Sequence, residues 1–417
     1  MVFYFWMGYT WDTVYWGLAF IGTFLLYGVL SPYISILIRD YGYSHSVLGI
    51  LLALCEAAAI GSPFVMSFFA DRFRCYRPVM LTSLFITLFC GIILFVSKNL
   101  LICAVILPFL SFGYRAVQPL TDAISTIQLG KDGNYGKYRA VGSITFFIAV
   151  VFLQYTPVVP PNSSSNIAFW VIVGAAISII LMMIIPKHYF INNDMQATAA
   201  TGTACDTKIT RHSRVKIAVQ RHGATHKLLS PLFIIGFSII FFNRLAMSPV
   251  NSFMSLYVVE YLKWDAVGLM WALSSGSEIA FIFLSKRLIR RFKAMPLMAF
   301  ATAAILARYA IILLFPSKTG IVLSQLTHSV CFGIFHPAAV SFIASCVPPA
   351  QRALGMSLYL SLGTGVPTLL GNFAGGFIVE YLGYPELFML FSIFAILGLV
   401  IYFITQKHTL RLSTENT

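Results

Sequence analysis

Residues 195–227 read MQATAATGTACDTKITRHSRVKIAVQRHGATHK, the one long stretch of this chain with no sustained apolar run. It lies inside a polar segment from about Pro186 to Leu228, Ala/Thr-rich at first and basic from Lys208 onward. That composition reads as a flexible linker whose basic second half lies against a membrane surface. On both sides the character reverses. The chain of 417 residues is 59% hydrophobic and only 10% charged, against roughly 25% charged residues in an ordinary soluble domain. Lipid therefore solvates most of it.

A membrane-spanning helix needs roughly 20 mostly apolar residues. Twelve such stretches are present, near 13–38, 44–70, 77–97, 99–128, 135–158, 166–186, 229–257, 266–289, 295–315, 319–346, 351–379 and 384–405. Six precede the polar segment and six follow it. The reading is an all-α membrane protein with twelve transmembrane helices in two six-helix bundles, 1–186 and 229–417, joined by a linker over 187–228. The first apolar run, Thr13 to Ile38, lacks a basic leader and a small-residue cleavage site, so it does not read as a secretory signal. Lys and Arg gather in alternate loops, at Arg72 to Arg77, Lys131 and Lys137, Lys187 to Lys227, Lys286 to Lys293, Arg352, and in the tail at Lys407 and Arg411. The positive-inside rule then puts both termini and the linker in the cytoplasm. The net charge of +14 follows from this topology and does not point to nucleic acid. Seven cysteines without a CxxC pair read as small buried hydrophobes, with no disulfide framework, metal or cofactor implied.

The two halves carry a weak internal repeat. Val47-Leu48-Gly49-Ile50 leads into Glu56, and Ala266-Val267-Gly268-Leu269 leads into Glu278. A basic turn follows each, Asp71-Arg72-Phe73-Arg74-Cys75-Tyr76-Arg77 and Lys286-Arg287-Leu288-Ile289-Arg290-Arg291. Two parallel repeats of this size outline a secondary transporter. Helix breakers cluster at Gly28–Pro32, at Pro108 and Pro119, and in Gly363-Thr364-Gly365-Val366-Pro367, where they permit close helix approach or local bending.

Nine ionisable residues are stranded in the apolar runs: Glu56, Arg115, Asp122, Arg139, Arg244, Glu278, Arg308, His328 and His336. A charge in hydrocarbon costs several kcal/mol even on lenient scales, so such residues face a partner, a cavity or a substrate path. Arg115, Gln118, Pro119 and Asp122 fall at i, i+3, i+4 and i+7, on one face of helix four. Arg139 at the start of helix five is placed to reach Asp122, either as a structural salt bridge or as a pair that holds polar substrate groups. In the second half His328, Cys331, Phe332, Phe335 and His336 form one stripe on helix ten. Glu278 on helix eight and Arg308 on helix nine lie in the same half. Burial favours the neutral form of a carboxyl group, the property a proton-coupled carrier requires, and Glu278 and Asp122 are the candidates. Glu56 and Arg244 are a candidate gating pair. Asp71, with Arg72 and Arg77, reads as a conformational lock at a cytoplasmic turn.

Taken together these residues resemble the major facilitator superfamily. The strings Pro119-Leu120-Thr121-Asp122-Ala123, Tyr135-Gly136-Lys137-Tyr138-Arg139 with Gly142-Ser143, and Ser277-Glu278-Ile279 leading to Arg290-Arg291 are similar to its phenylpropionate permease branch. Gln325-Leu326-Thr327-His328 and Phe332-Gly333-Ile334-Phe335-His336 extend the likeness. That branch is related to the lactose permease and the oligosaccharide–proton symporters. The resemblance implies that Asp122 and Arg139 match a substrate-contacting pair, that Glu278 links substrate to protonation, and that Arg308 and His328 belong to the coupling network. Cys331 stands where the lactose permease has a proton-carrying glutamate, so Glu278, Asp122 or Glu56 would carry the proton instead. The superfamily's cytoplasmic signature is degraded, with Ser67 and Arg74 at its two glycines.

The expectation is a monomeric secondary transporter in the plasma membrane (a bacterial inner membrane), working by alternating access with a proton as coupling ion and no other cofactor. No GxxxxGK[ST] phosphate loop is present, which argues against direct ATP hydrolysis. Four arginines (Arg115, Arg139, Arg244, Arg308) against three carboxylates (Glu56, Asp122, Glu278) suit an organic anion, an aromatic acid above all. A sugar or nucleoside is the second reading, and a non-transporting sensor on the same scaffold is the third. Substrate contacts are assigned to Asp122, Arg139, Arg115 and Gln118, and proton coupling to Glu278, Arg308, His328, His336 and Glu56.

Overall fold

A backbone in hydrocarbon must satisfy its own N–H and C=O groups, and an α-helix does so within one segment. The computed structural model describes residues 11–73, 75–129, 135–156, 159–191, 230–347 and 352–415. Among them every long element is helical, and a lone antiparallel bridge joins Cys75 to Ile191. The first six helices are α1 (Trp11–Asp40), α2 (His45–Phe73), α3 (Tyr76–Val96), α4 (Leu100–Leu129), α5 (Tyr135–Tyr155) and α6 (Ser164–Ile184). Then come α7 (Pro231–Tyr261), α8 (Val267–Phe292), α9 (Ala294–Leu314), α10 (Lys318–Cys346), α11 (Leu354–Tyr381) and α12 (Tyr384–Glu415). The expected linker 187–228 is described only as far as Ile191.

Among the described residues, 11 helices are long and apolar enough to cross a membrane. The remaining long helix is α8, 26 residues over Val267–Phe292. It carries Ser274-Ser275-Gly276-Ser277-Glu278 and a basic end with Arg290 and Arg291. The large side chains that point outward are apolar: Phe68 is 66% exposed, Phe89 65% and Leu101 79%. Such a surface would drive aggregation in water and is what lipid requires.

Two compact units emerge from the contacts: one with Asp265–Ala272 added to α1–α6, the other holding α7, the rest of α8 and α9–α12. Their internal packing follows one scheme. In the first, α1 packs on α5 and α6, and α3 on α4 and α6; in the second, α7 packs on α11 and α12, and α9 on α10 and α12. The helix neighbours named thus correspond position by position in the two units.

Lipid tails are as apolar as Leu, so tight van der Waals packing and interhelical hydrogen bonds hold such helices together. Ser178 Oγ on α6 donates to the Gly22 carbonyl of α1 at 2.6 Å. Thr23 and Thr121 meet between α1 and α4 at 3.0 Å, and Asn243 Nδ2 donates to Thr302 Oγ1 between α7 and α9 at 2.9 Å. Gly113 shows how close the backbones come. A Cβ there would sit 2.5 Å from Thr87 Oγ1 and 2.8 Å from the Ser83 carbonyl oxygen. Overpacking a filled site costs about 1–3 kcal/mol, and a backbone carbonyl cannot swing aside. Gly113→Ala is therefore expected to lower the thermal midpoint of the purified protein, and an unchanged midpoint would show that α3 and α4 separate there at no cost.

The helix breakers behave in two ways. α1 and α4 continue through Pro32, Pro108 and Pro119. In α11 the Gly363–Gly365 run forms a π turn, Ser361–Gly365, and α10 has another at Ser329–Ile334. A π turn adds a residue to the helical ring, rotates the side chains beyond it, and is common where helices carry function.

Candidate functional site

In the first unit, α4 presents Arg115 and Asp122 one above the other, yet they take different partners. Arg115 Nη2 donates to Glu56 Oε2 of α2 at 2.7 Å. The pair is bounded by aromatic rings: Tyr114 lies 5.8 Å from the guanidinium and packs edge-on against Tyr27 at 5.2 Å. Asp122 faces α5 instead, with its Oδ1 3.9 Å from Arg139 Nε. Their side chains are 28% and 33% exposed. At 3.9 Å the two groups attract without a hydrogen bond, so the contact is looser than the Glu56–Arg115 pair. Gln118 is partly buried between the two on the same helix.

Phe24 of α1 supports Arg139 from below, with its ring centre 4.3 Å from the guanidinium carbon. The ring has room because residue 142 is glycine. A Cβ on Gly142 would stand 2.4 Å from Phe24 Cδ2, well inside contact distance. The Gly142-Ser143 string thus has a local purpose: it lets the platform under Arg139 lie flat.

The second unit holds a tighter network. Arg308 of α9 is fully buried. It donates from Nη2 to Gln325 Oε1 at 2.8 Å and lies 3.1 Å from His328 Nδ1 through Nη1. Ser274 of α8 also bonds Gln325 Oε1. A guanidinium only donates, so His328 Nδ1 accepts and the neutral imidazole carries its proton on Nε2. That nitrogen faces Glu278 Oε2 at 3.9 Å. The order Gln325–Arg308–His328–Glu278 therefore runs from a polar anchor to a carboxylate, with the tautomer set by the arginine.

His336 stands apart from this group. Its Nδ1 is 2.7 Å from the Tyr359 hydroxyl of α11. The rings of His328, Phe332 and His336 are nearly parallel, with interplanar angles of 7° and 4° and centroids 5.4 and 5.6 Å apart. The helix-ten stripe is thus a ladder of flat rings whose two ends have different partners.

The remaining candidates have partners of their own. Glu56 is bound to Arg115 within the first unit, and Arg244 Nη2 donates to Tyr359 at 3.1 Å within the second. Helix spacing aligns residues along one helix and is silent on which neighbour each meets. Asp71 accepts from the Tyr76 hydroxyl at 3.1 Å, Arg77 donates to the Met183 carbonyl, and Arg72 is exposed. Arg74 lies outside the described residues. Sequence reasoning missed Gln325, Ser274 and Tyr359 as site residues. Gln325 precedes His328 by three positions, so the helical spacing that placed His328 placed it as well. Nothing in the sequence singled out Tyr359.

Membrane-length helices around interior networks of arginine, histidine and carboxylate define a polytopic membrane carrier. The chain belongs to the MFS_1 like family, whose model matches residues 15–390, and is a membrane transporter of the major facilitator type. It is 23% identical over 391 residues to the maltose permease of Geobacillus stearothermophilus, covering 92% of each chain. Over 392 residues it is 22% identical to a probable 3-phenylpropionic acid transporter of Escherichia coli (strain K12), covering 94% of this chain and 96% of that one. In structure it is similar to a variant of the nucleoside transporter NupG, with a TM-score of 0.74, 17% identity, and coverage of 94% of this chain and 98% of that one.

Proposed function

We propose that this protein is a proton-coupled symporter of a small organic solute, with an aromatic acid as the favoured substrate class. In this reading twelve helices span a bacterial inner membrane with both termini cytoplasmic, and transport proceeds by alternating access. The single observation that carries it is the Arg308–His328–Glu278 sequence in the second unit. Arg308 holds the imidazole in one tautomer, and the imidazole presents its N–H to the carboxylate. Protonating Glu278 removes the charge that this arrangement answers. A proton then changes the relative stability of two carrier states by its differential affinity for them, which is all a coupling ion can do. Asp122 with Arg139, loosely paired over Phe24, is the proposed substrate contact in the first unit.

A neutral sugar is the second reading, favoured by the likeness to the maltose permease of Geobacillus stearothermophilus. Uptake into proteoliposomes separates the two. Purified protein is reconstituted with and without an inward proton gradient and offered 3-phenylpropionate, maltose and uridine in turn. Gradient-dependent uptake of the acid is expected. Transport that ignores the gradient for every solute carried would overturn symport.

A further inference from the structure

Arg244 of α7 has no assigned role in the coupling network or in the Asp122–Arg139 pair. It is 3% exposed, and among the described residues no carboxylate pairs with it. Its Nε is buried without a hydrogen-bond partner. Nη2 donates to the Tyr359 hydroxyl. The guanidinium carbon lies 4.9 Å from the ring centres of both Phe332 and Phe335.

A buried guanidinium without an anion is costly. Desolvation penalises the ion, and two cation–π contacts and one charged hydrogen bond offset that only in part. The contrast with Arg308 is direct. That arginine is also buried, but it holds two acceptors and has Glu278 on the far side of His328. The Tyr359 oxygen accepts from Arg244 and, by the direction that leaves each group one proton, donates to His336 Nδ1. Arg244 thus ends a neutral chain, and its charge is answered only by ring faces and a phenol. Phe332 and His336 keep part of their surface exposed, so the cluster is open along that edge.

We propose that Arg244 is the anchor for the carboxylate of the transported solute, with the part-exposed rings of Phe332 and His336 as the aromatic wall that receives its apolar body, and the buried Phe335 and Tyr359 holding the guanidinium in place. The ligand class is a small organic monocarboxylate with a flat ring. The proposal rests on the transport reading above and deepens it by naming the group that recognises the anion. Arginine suits this task because its planar fork matches a carboxylate.

Equilibrium binding to the purified full-length protein, without any proton gradient, tests it. The probes are 3-phenylpropionate and its uncharged amide, and the proteins are wild type, Arg244→Gln, Arg244→Lys and Tyr359→Phe. Wild type is expected to prefer the acid. Arg244→Gln should bind the acid on the order of 30-fold more weakly, about 2 kcal/mol at 1.4 kcal/mol per decade, while its affinity for the amide changes less than twofold. Arg244→Lys, which keeps the charge and guards against a folding failure in the Gln variant, should retain the preference for acid at reduced strength. Tyr359→Phe should weaken the acid by several-fold only. Acid affinity within twofold of wild type in Arg244→Gln would overturn the anchor, even if gradient-driven uptake by wild type is normal. Equal binding of acid and amide by wild type would overturn it too, and with it the choice of an aromatic acid. A wild type that binds the acid but ignores the gradient leaves the anchor standing and removes symport alone.

Discussion

Glu278→Gln is expected to keep solute exchange and lose uphill accumulation. The Glu278 carboxylate faces His328 Nε2 at 3.9 Å, and Arg308 fixes the imidazole from its other side. Glutamine has the shape of a protonated glutamate and cannot release a proton. The variant is therefore held permanently in the state that proton binding would reach. One proton per solute across one pH unit is worth about 1.36 kcal/mol, so wild type should sustain roughly tenfold accumulation per unit of gradient. The variant should fall to an inside-to-outside ratio near unity. Its exchange of labelled for unlabelled solute should continue, because the rest of the network is untouched. Counterflow and gradient-driven uptake in the same proteoliposomes measure the two quantities. Normal accumulation by Glu278→Gln would move the proton to another carboxylate.

Asp122→Asn and Arg139→Ala should each abolish uptake while leaving the amount and thermal stability of the membrane protein close to wild type. The magnitudes set this apart from a structural salt bridge. At 3.9 Å and about a third exposed, the pair is worth about 0–1 kcal/mol to the fold, too little for either loss to unfold the chain. As a substrate contact the pair acts on the solute and not on the fold, so its loss would reach transport directly. Arg139→Lys refines the test, since it keeps the charge and loses both the planar fork and the stacking on Phe24. Full uptake in Asp122→Asn or Arg139→Ala would make the pair structural. Unfolding of either variant would show that the pair is tighter than its geometry indicates.

Much of this was legible in the chain itself, and the reasons are physical. Apolar runs long enough to span lipid mark helices, because no other single segment satisfies its backbone there. The α4 pattern put Arg115 and Asp122 on one face, and the string around Arg139 pointed to Asp122; both relations hold in the structure. The resemblance to the phenylpropionate permease branch supplied the Glu278, Arg308 and His328 group, which the fold brings together. Pairings between helices were harder. The partner of Glu56, Arg115, appeared only where α2 met α4, and the partner of Arg244 came from α11, over a hundred positions away, with no charge or motif to mark Tyr359.

By itself the sequence determined the solvent, the helices and the inventory of charges that hydrocarbon will not tolerate alone. Those depend on composition and local spacing, which a single chain records directly. Only the tertiary structure decided which charge answers which: Arg115 to Glu56, Arg308 to Gln325 and His328, and Arg244 to aromatic rings and a phenol. Helix rotation, crossing and the π turns in α10 and α11 set those meetings. They arise from packing among helices distant in sequence, and no residue spacing within one helix encodes them.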